Sequence, residues 1–211
     1  MNSPISPIYR NSFVYEMIML ALYGRGYPER YRTLAALIPE GASVLDVCCG
    51  PAVLFHRYLK PKRIQYTGLD INPRFIQRLS ASGGTGIAWN VEDGRPLPNA
   101  QYVVMQASLY HFLPDPLPVL DRMLAAAEKQ VLLAEPIRNL ADSEIRMLAF
   151  LGRKFTNPGT GEQPNRFDES RLDVLLRPYH ERGQVLESRL ISGEREKLYI
   201  LVPITERRAN R

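Results

Sequence analysis

Asp70 stands twenty positions beyond Gly50, and the two sit in segments that could hold a nucleoside. The first segment, Ser43-Val44-Leu45-Asp46-Val47-Cys48-Cys49-Gly50-Pro51-Ala52, opens as an apolar strand with one carboxylate and turns at Gly50. Glycine lets the backbone approach a ligand with no Cβ in the way. The helical pattern that follows, with Phe55 and Leu59 on one face before Pro61, would present free N–H groups at its start. The second segment, Gln65-Tyr66-Thr67-Gly68-Leu69-Asp70, reads as a strand ending in an acid. A carboxylate has two acceptor oxygens and a ribose diol has two donors, so an acid at this point of a doubly wound sheet suits ribose. Asp46 needs a partner or a strand end, because an unpaired charge inside a buried strand is costly.

The first segment resembles motif I of the class I S-adenosylmethionine (SAM) dependent methyltransferases, roughly V-L-D-x-G-C-G-x-G. Here it is Val44-Leu45-Asp46-Val47-Cys48-Cys49-Gly50-Pro51-Ala52. Cys48 replaces the first glycine, as in the quinone-biosynthesis methyltransferases, and Ala52 replaces the last. Three further stretches resemble family landmarks in the expected order. The first is Trp89-Asn90-Val91-Glu92-Asp93-Gly94-Arg95-Pro96-Leu97-Pro98. The second is Gln106-Ala107-Ser108-Leu109-Tyr110-His111-Phe112-Leu113-Pro114-Asp115, and the third Arg166-Phe167-Asp168-Glu169-Ser170.

The resemblance implies SAM as cofactor, with Asp46, Cys48, Gly50, Asp70, Ile71, Asn90, Val91 and Gln106 as the residues that hold it. Asn90 would take the place of the acid that usually meets the adenine amino group, its side-chain carbonyl accepting as an Asp would. The Val91 N–H would donate to the ring. Gln106 and Ser108 would lie beside the methionine part. His111 and Tyr110 are the candidate bases for an oxygen or nitrogen acceptor. A His near an apolar stretch is also a common structural residue, and both roles stay open.

These residues need elements to position them. Helices are expected over the first forty residues, one from Ser12 ending at Gly24 and Gly26, and one from Pro28 carrying Tyr31, Leu34, Leu37 and Ile38. The tyrosines there, among them Tyr27 and Tyr31, either pack on the main domain or line a substrate pocket. After the second strand, Asn72 and Pro73 signal a helix start, with Ile76 and Leu79 apolar. Ser82 to Gly86 reads as a flexible connection, followed by strands at Ile87–Val91, Gln101–Gln106 and Gln130–Glu135. Leu117, Leu120 and Leu124 mark a helix, and Leu172, Leu175 and Leu176 another that Pro178 should stop. Gln184–Ile191, a Ser192-Gly193 turn and Leu198–Val202 form a hairpin. An antiparallel end separates a methyltransferase from a dinucleotide-binding dehydrogenase, which would add a parallel strand.

The expected fold is therefore α/β, a Rossmann-like doubly wound seven-stranded sheet ending in an antiparallel hairpin. It would be a single domain over 1–211, with an N-terminal helical cap (1–40) and a helical lid insertion (137–166). The insertion carries Ile145, Met147, Leu148 and Phe150, with Arg153, Lys154 and Arg166 around its loop, and suggests an aromatic or anionic small-molecule acceptor.

Length and composition agree with one soluble domain: 211 residues, 45% hydrophobic and 23% charged. The charge of +5 permits an anionic partner but demands none. No basic run interleaved with aromatics is present, and the catalytic Asn-Pro-Pro-Tyr type motif of amino-group nucleic-acid enzymes is missing after the fourth strand, so a nucleic-acid methyltransferase is the lesser alternative. A SAM-binding protein without catalysis is another. Cys48 and Cys49 are the only cysteines and are adjacent, so neither a disulfide nor a zinc site is expected, and the default location is cytoplasmic. The run Phe13 to Tyr23 is too short to span a bilayer. The sequence specifies no oligomeric state.

Overall fold

The structure is a computed structural model that describes residues 26–138 and 167–204. The first expected helix, the tyrosines Tyr9, Tyr15 and Tyr23, and the body of the insertion lie outside the described residues.

Seven strands form one sheet in the order β3-β2-β1-β4-β5-β7-β6. They are β1 (Ser43–Val47), β2 (Gln65–Asp70), β3 (Thr85–Ala88), β4 (Ala100–Gln106), β5 (Ala127–Pro136), β6 (Val185–Ile191) and β7 (Glu196–Leu201). β1 to β5 are parallel. β7 inserts antiparallel beside β5 and pairs with β6, so the expected closing hairpin is present. The chain order reverses between β1 and β4, which leaves a crevice at their carboxyl ends.

Side-chain alternation divides the core in two. Val44, Tyr66, Val104, Leu132 and Ile200 face one side. There they meet α1 (Gly26–Leu37), through Tyr31, Leu34 and Ala35, and the short helix after β1. Leu45, Val103, Leu133 and Tyr199 face the other side, with α3 (Leu117–Ala126) and α4 (Glu169–Glu181). Helix α2 (Pro73–Ala81) starts as expected: Asn72 Oδ1 accepts from the Arg74 N–H at 3.0 Å and Pro73 opens the first turn. Tyr27 and Tyr31 are buried, edge to face at 5.3 Å, with Tyr31 stacked on Tyr58 at 5.8 Å. These two tyrosines are packing residues.

Several boundaries differ from expectation. β3 begins at Thr85 and ends at Ala88, so the glycine-rich connection supplies its start and Trp89 to Val91 fall outside it. Gly86 pairs with Gly68 inside this strand, and no side chain fits there, because an added Cβ would stand 2.6 Å from the Ile76 carbonyl oxygen of α2. β5 runs from Ala127, directly out of α3. Pro178 does not stop α4, which continues to Glu181. The proline sits in the last turn, and the Arg182 N–H and Nε both donate to its carbonyl, closing the helix there. The helix after β1 winds as a π turn over Phe55–Leu59 and then tightens over Lys60–Lys62, with Pro61 inside it.

Candidate functional site

The loop after β1 is held open by three residues at alternate positions. Cys48, Gly50 and Ala52 have φ of 61°, 53° and 51°. Two non-glycine residues thus adopt a left-handed backbone, at a cost of roughly 1–2 kcal/mol each. The Cys49 N–H donates to the Leu69 carbonyl at 2.9 Å and ties the loop to β2. Cys49 also fills the space over Gly68, where an added Cβ would stand 2.8 Å from its sulfur. Cys48 packs into the core on the opposite face. Burial pushes both thiols up, so neither is a nucleophile at neutral pH.

Asp70 closes the other side of this crevice. Its Oδ2 accepts the Gly50 N–H at 2.9 Å and its Oδ1 accepts the Asn72 N–H at 2.8 Å. Burial pushes its carboxyl above the usual range, against the pull of these two bonds. Gly50 leaves open space, because a Cβ there would meet nothing within 4 Å. Ile71, the next residue after Asp70, is 73% exposed. Asp46 lies beneath the loop, buried, and accepts a hydrogen bond from the Tyr66 hydroxyl. Desolvation raises its pKa to about 7, against the Tyr66 bond and with Asp70 adding to the rise. Tyr66 therefore supplies the partner that an acid in a buried strand needs.

Asn90 is not at a strand end. It caps a short 3-10 turn over Val91–Asp93, its Oδ1 accepting the Glu92 N–H at 3.1 Å. Asn side chains offer nearby backbone a local partner of this kind, and here it ends the extended chain. The Trp89 N–H donates to the Asp70 carbonyl at 3.0 Å, which keeps the segment beside β2. Val91 is buried.

At the end of β4 the chain turns through a left-handed Ala107, φ 53°, and enters a 3-10 turn over Leu109–Phe112. This turn carries Tyr110 and His111, with ring centroids 4.1 Å apart. Gln106 is half-buried beside Glu196. Sequence reasoning assigned no role to the acid at the end of β5. Glu135 is fully buried, and its Oε1 accepts the N–H groups of both Ser108 and Leu109 at 2.7 Å. Burial raises its pKa to about 7, with the two backbone bonds opposing. Glu196 is equally buried and pairs with Arg30 of α1 at 2.9 Å. The signal for Glu135 was available: a carboxylate closing an apolar strand, as at Asp70.

The structure thus brings Asp46, Cys48, Gly50, Asp70 and Ile71 together at the carboxyl ends of β1 and β2, and Gln106, Tyr110 and His111 to the carboxyl end of the neighbouring strand. Among the described residues no cluster could hold a metal, and no helix is long and apolar enough to cross a membrane.

A family model described as a methyltransferase domain matches residues 20–184. The chain belongs to this methyltransferase family. No curated protein sequence matches it. Among solved structures, the magnesium protoporphyrin IX methyltransferase of Synechocystis PCC 6803, with bound SAH, superposes with a TM-score of 0.62 at 14% identity, covering 92% of this chain and 96% of that one. The plantazolicin methyltransferase, in complex with a desmethyl substrate analogue and SAH, gives 0.62 at 11%, covering 92% and 87%. A Rhodobacter sphaeroides protein named as a Zn-dependent alcohol dehydrogenase gives 0.60 at 14%, covering 83% and 89%. At such identities the likeness concerns the fold, a Rossmann-like sheet with an antiparallel end, and the chemical class comes from the family match.

Proposed function

We propose that the protein transfers a methyl group from SAM to a small-molecule acceptor. The observation that carries this is the Gly50–Asp70 crevice, an acid joined to a left-handed glycine at the carboxyl ends of β1 and β2. The site fits the cofactor. Each Asp70 oxygen keeps a lone pair for a ribose hydroxyl. Exposed Ile71, with Asn90 and Val91, would hold the adenine. Cys48 and Gly50 would present backbone to the methionine part, with Asp46 beneath the loop. Gln106 borders the same end from β4.

When bound, SAM supplies a methyl already activated on a sulfonium, the bond pair staying with sulfur as the acceptor's lone pair forms the new bond. The chain's own task is to align the acceptor and exclude water. For an oxygen or nitrogen acceptor, His111 or Tyr110 would take the proton released. β5 ends at Pro136 beside Glu196, the first residue of β7, and the start of α4 meets the same end of the sheet through the Lys197–Glu169 pair. That supports an acceptor-facing role for the 139–166 segment between them. The two free thiols suit the cytoplasm.

The test is incubation with methyl-labelled SAM and a metabolite extract. Label should pass to a small molecule, with one SAH formed per methyl transferred. Label passing only to RNA or DNA, or SAM bound without turnover in any extract, would reject this reading in favour of a nucleic-acid enzyme or a silent binder.

A further inference from the structure

The turn that carries Tyr110 and His111 begins without a cap of its own. Ser108 stands at its N-cap, yet the Ser108 hydroxyl donates to the Gln106 carbonyl at 3.1 Å and accepts nothing from the turn. The first N–H groups of any helical turn have no partner inside it. Here they are met from another strand. Ala107, left-handed, donates its N–H to the Ala134 carbonyl at 2.8 Å and so fixes β4 to β5 at the exit point. One residue further along β5, Glu135 Oε1 receives both the Ser108 and the Leu109 N–H. The other oxygen, Oε2, is buried and has no hydrogen-bond partner among the described residues. A fully buried carboxylate with one idle oxygen is a costly residue unless the two bonds it makes are needed.

We propose that Glu135 is a positioning residue: its Oε1 sets the backbone from Ser108 to Phe112, and thereby where Tyr110 and His111 stand against the bound cofactor and acceptor. The assignment of what they face rests on the methyltransferase reading. The setting of the turn does not. Glu135 touches neither cofactor nor acceptor. What the turn needs from it is an acceptor oxygen at that point, which an amide oxygen also provides.

Glu135→Gln and Glu135→Met separate this from plain packing. Amide exchange is read at Ser108 and Leu109 and, as an internal reference, at Leu45 in β1, and each protein is titrated with SAH. The Gln variant should keep protection at both amides and an SAH affinity within about twofold of wild type. The Met variant, similar in volume but with no oxygen, should lose protection at Ser108 and Leu109 while Leu45 stays protected, and should bind SAH about tenfold or more weakly. Unchanged exchange and affinity in a folded Met variant would overturn the proposal. So would a Gln variant as damaged as the Met variant, because charge rather than an acceptor oxygen would then matter. If the Met variant does not fold, the Gln variant alone decides, by keeping or losing the two protected amides. If wild type fails to bind SAH, the methyltransferase reading falls, and the exchange measurement still judges Glu135.

Discussion

Asp70 and Glu135 both lie at the carboxyl end of a strand, and both take two backbone N–H groups, yet they are built for different tasks. Asp70 spends one oxygen on each amide and stands beside an exposed side chain and an open glycine. Glu135 spends a single oxygen on both amides and is sealed from solvent. The first keeps acceptor capacity on each oxygen where a ligand can reach it, while the second has capacity that nothing reaches. The same local chemistry thus gives an accessible acceptor on the β1–β2 side, the one we propose for the ligand, and a sealed one on the β4–β5 side, the proposed brace.

The largest expected effect falls on the brace. Glu135→Met strands two buried N–H donors, and the protein should lose about 2–5 kcal/mol of stability by chemical denaturation. Glu135→Gln should lose much less. On the ligand side the order reverses. Asp70→Ala should leave the fold largely intact but weaken SAM binding by about 2 kcal/mol or more in a calorimetric titration, since bonds to a charged acceptor disappear. If Asp70→Ala unfolds the protein with no separate effect on SAM, the contrast between the two acids fails.

The pH dependence sharpens it further. Asp46 and Glu135 each have a folded-state pKa of about 7, raised from 3.8 and 4.5. For an acid raised on folding, the stabilisation is present in full below the unfolded pKa and is lost as pH rises through the folded one. Stability should therefore fall between about pH 4 and 7 by up to roughly 1.4 kcal/mol per pH unit for each group, and level off above. Glu135→Gln should remove Glu135's share of this slope and leave the rest, because Asp46, Asp70 and Glu196, all raised by burial, continue to titrate. A slope equal to that of wild type would show that Glu135 does not hold its proton.

The smallest effect concerns the loop. Gly50→Ala meets no atom but must hold a left-handed φ of 53°, a strain of about 1 kcal/mol. Thermal unfolding should show a modest loss. Gly68→Ala should cost more, because its Cβ would stand 2.5 Å from Leu79 Cδ2 in the core.

These two acids also show what a sequence can disclose. The Gly50–Asp70 contact spans adjacent parallel strands joined by one short helical crossover, and both ends carry local signatures: a turn glycine and an acid closing an apolar run. Strands β1 and β2, the capped start of α2 and the terminal hairpin were legible for the same reason. Glu135 has the same strand-end signature, but its partners lie 26 and 27 residues back, and only the β4–β5 register and the left-handed Ala107 bring them together. Nothing in the sequence of Ser108 or Leu109 marks their amides as needing an outside acceptor. Asn90 differs in its place: it caps a 3-10 turn beyond β3 rather than closing the strand, its Oδ1 accepting the Glu92 amide. Pro178 was given the force of a helix stop, but it stands in the last turn, where its missing N–H leaves only the carbonyl of exposed Val174 without an intrahelical donor, and the helix continues to Glu181.

The most direct test of the nucleoside crevice is a side-by-side calorimetric titration of the wild-type protein with SAM and with NAD. The Gly50–Asp70 geometry in a chain that ends in an antiparallel hairpin predicts saturable binding of SAM at one site per chain and no binding of NAD. Tight binding of NAD with none of SAM would contradict it.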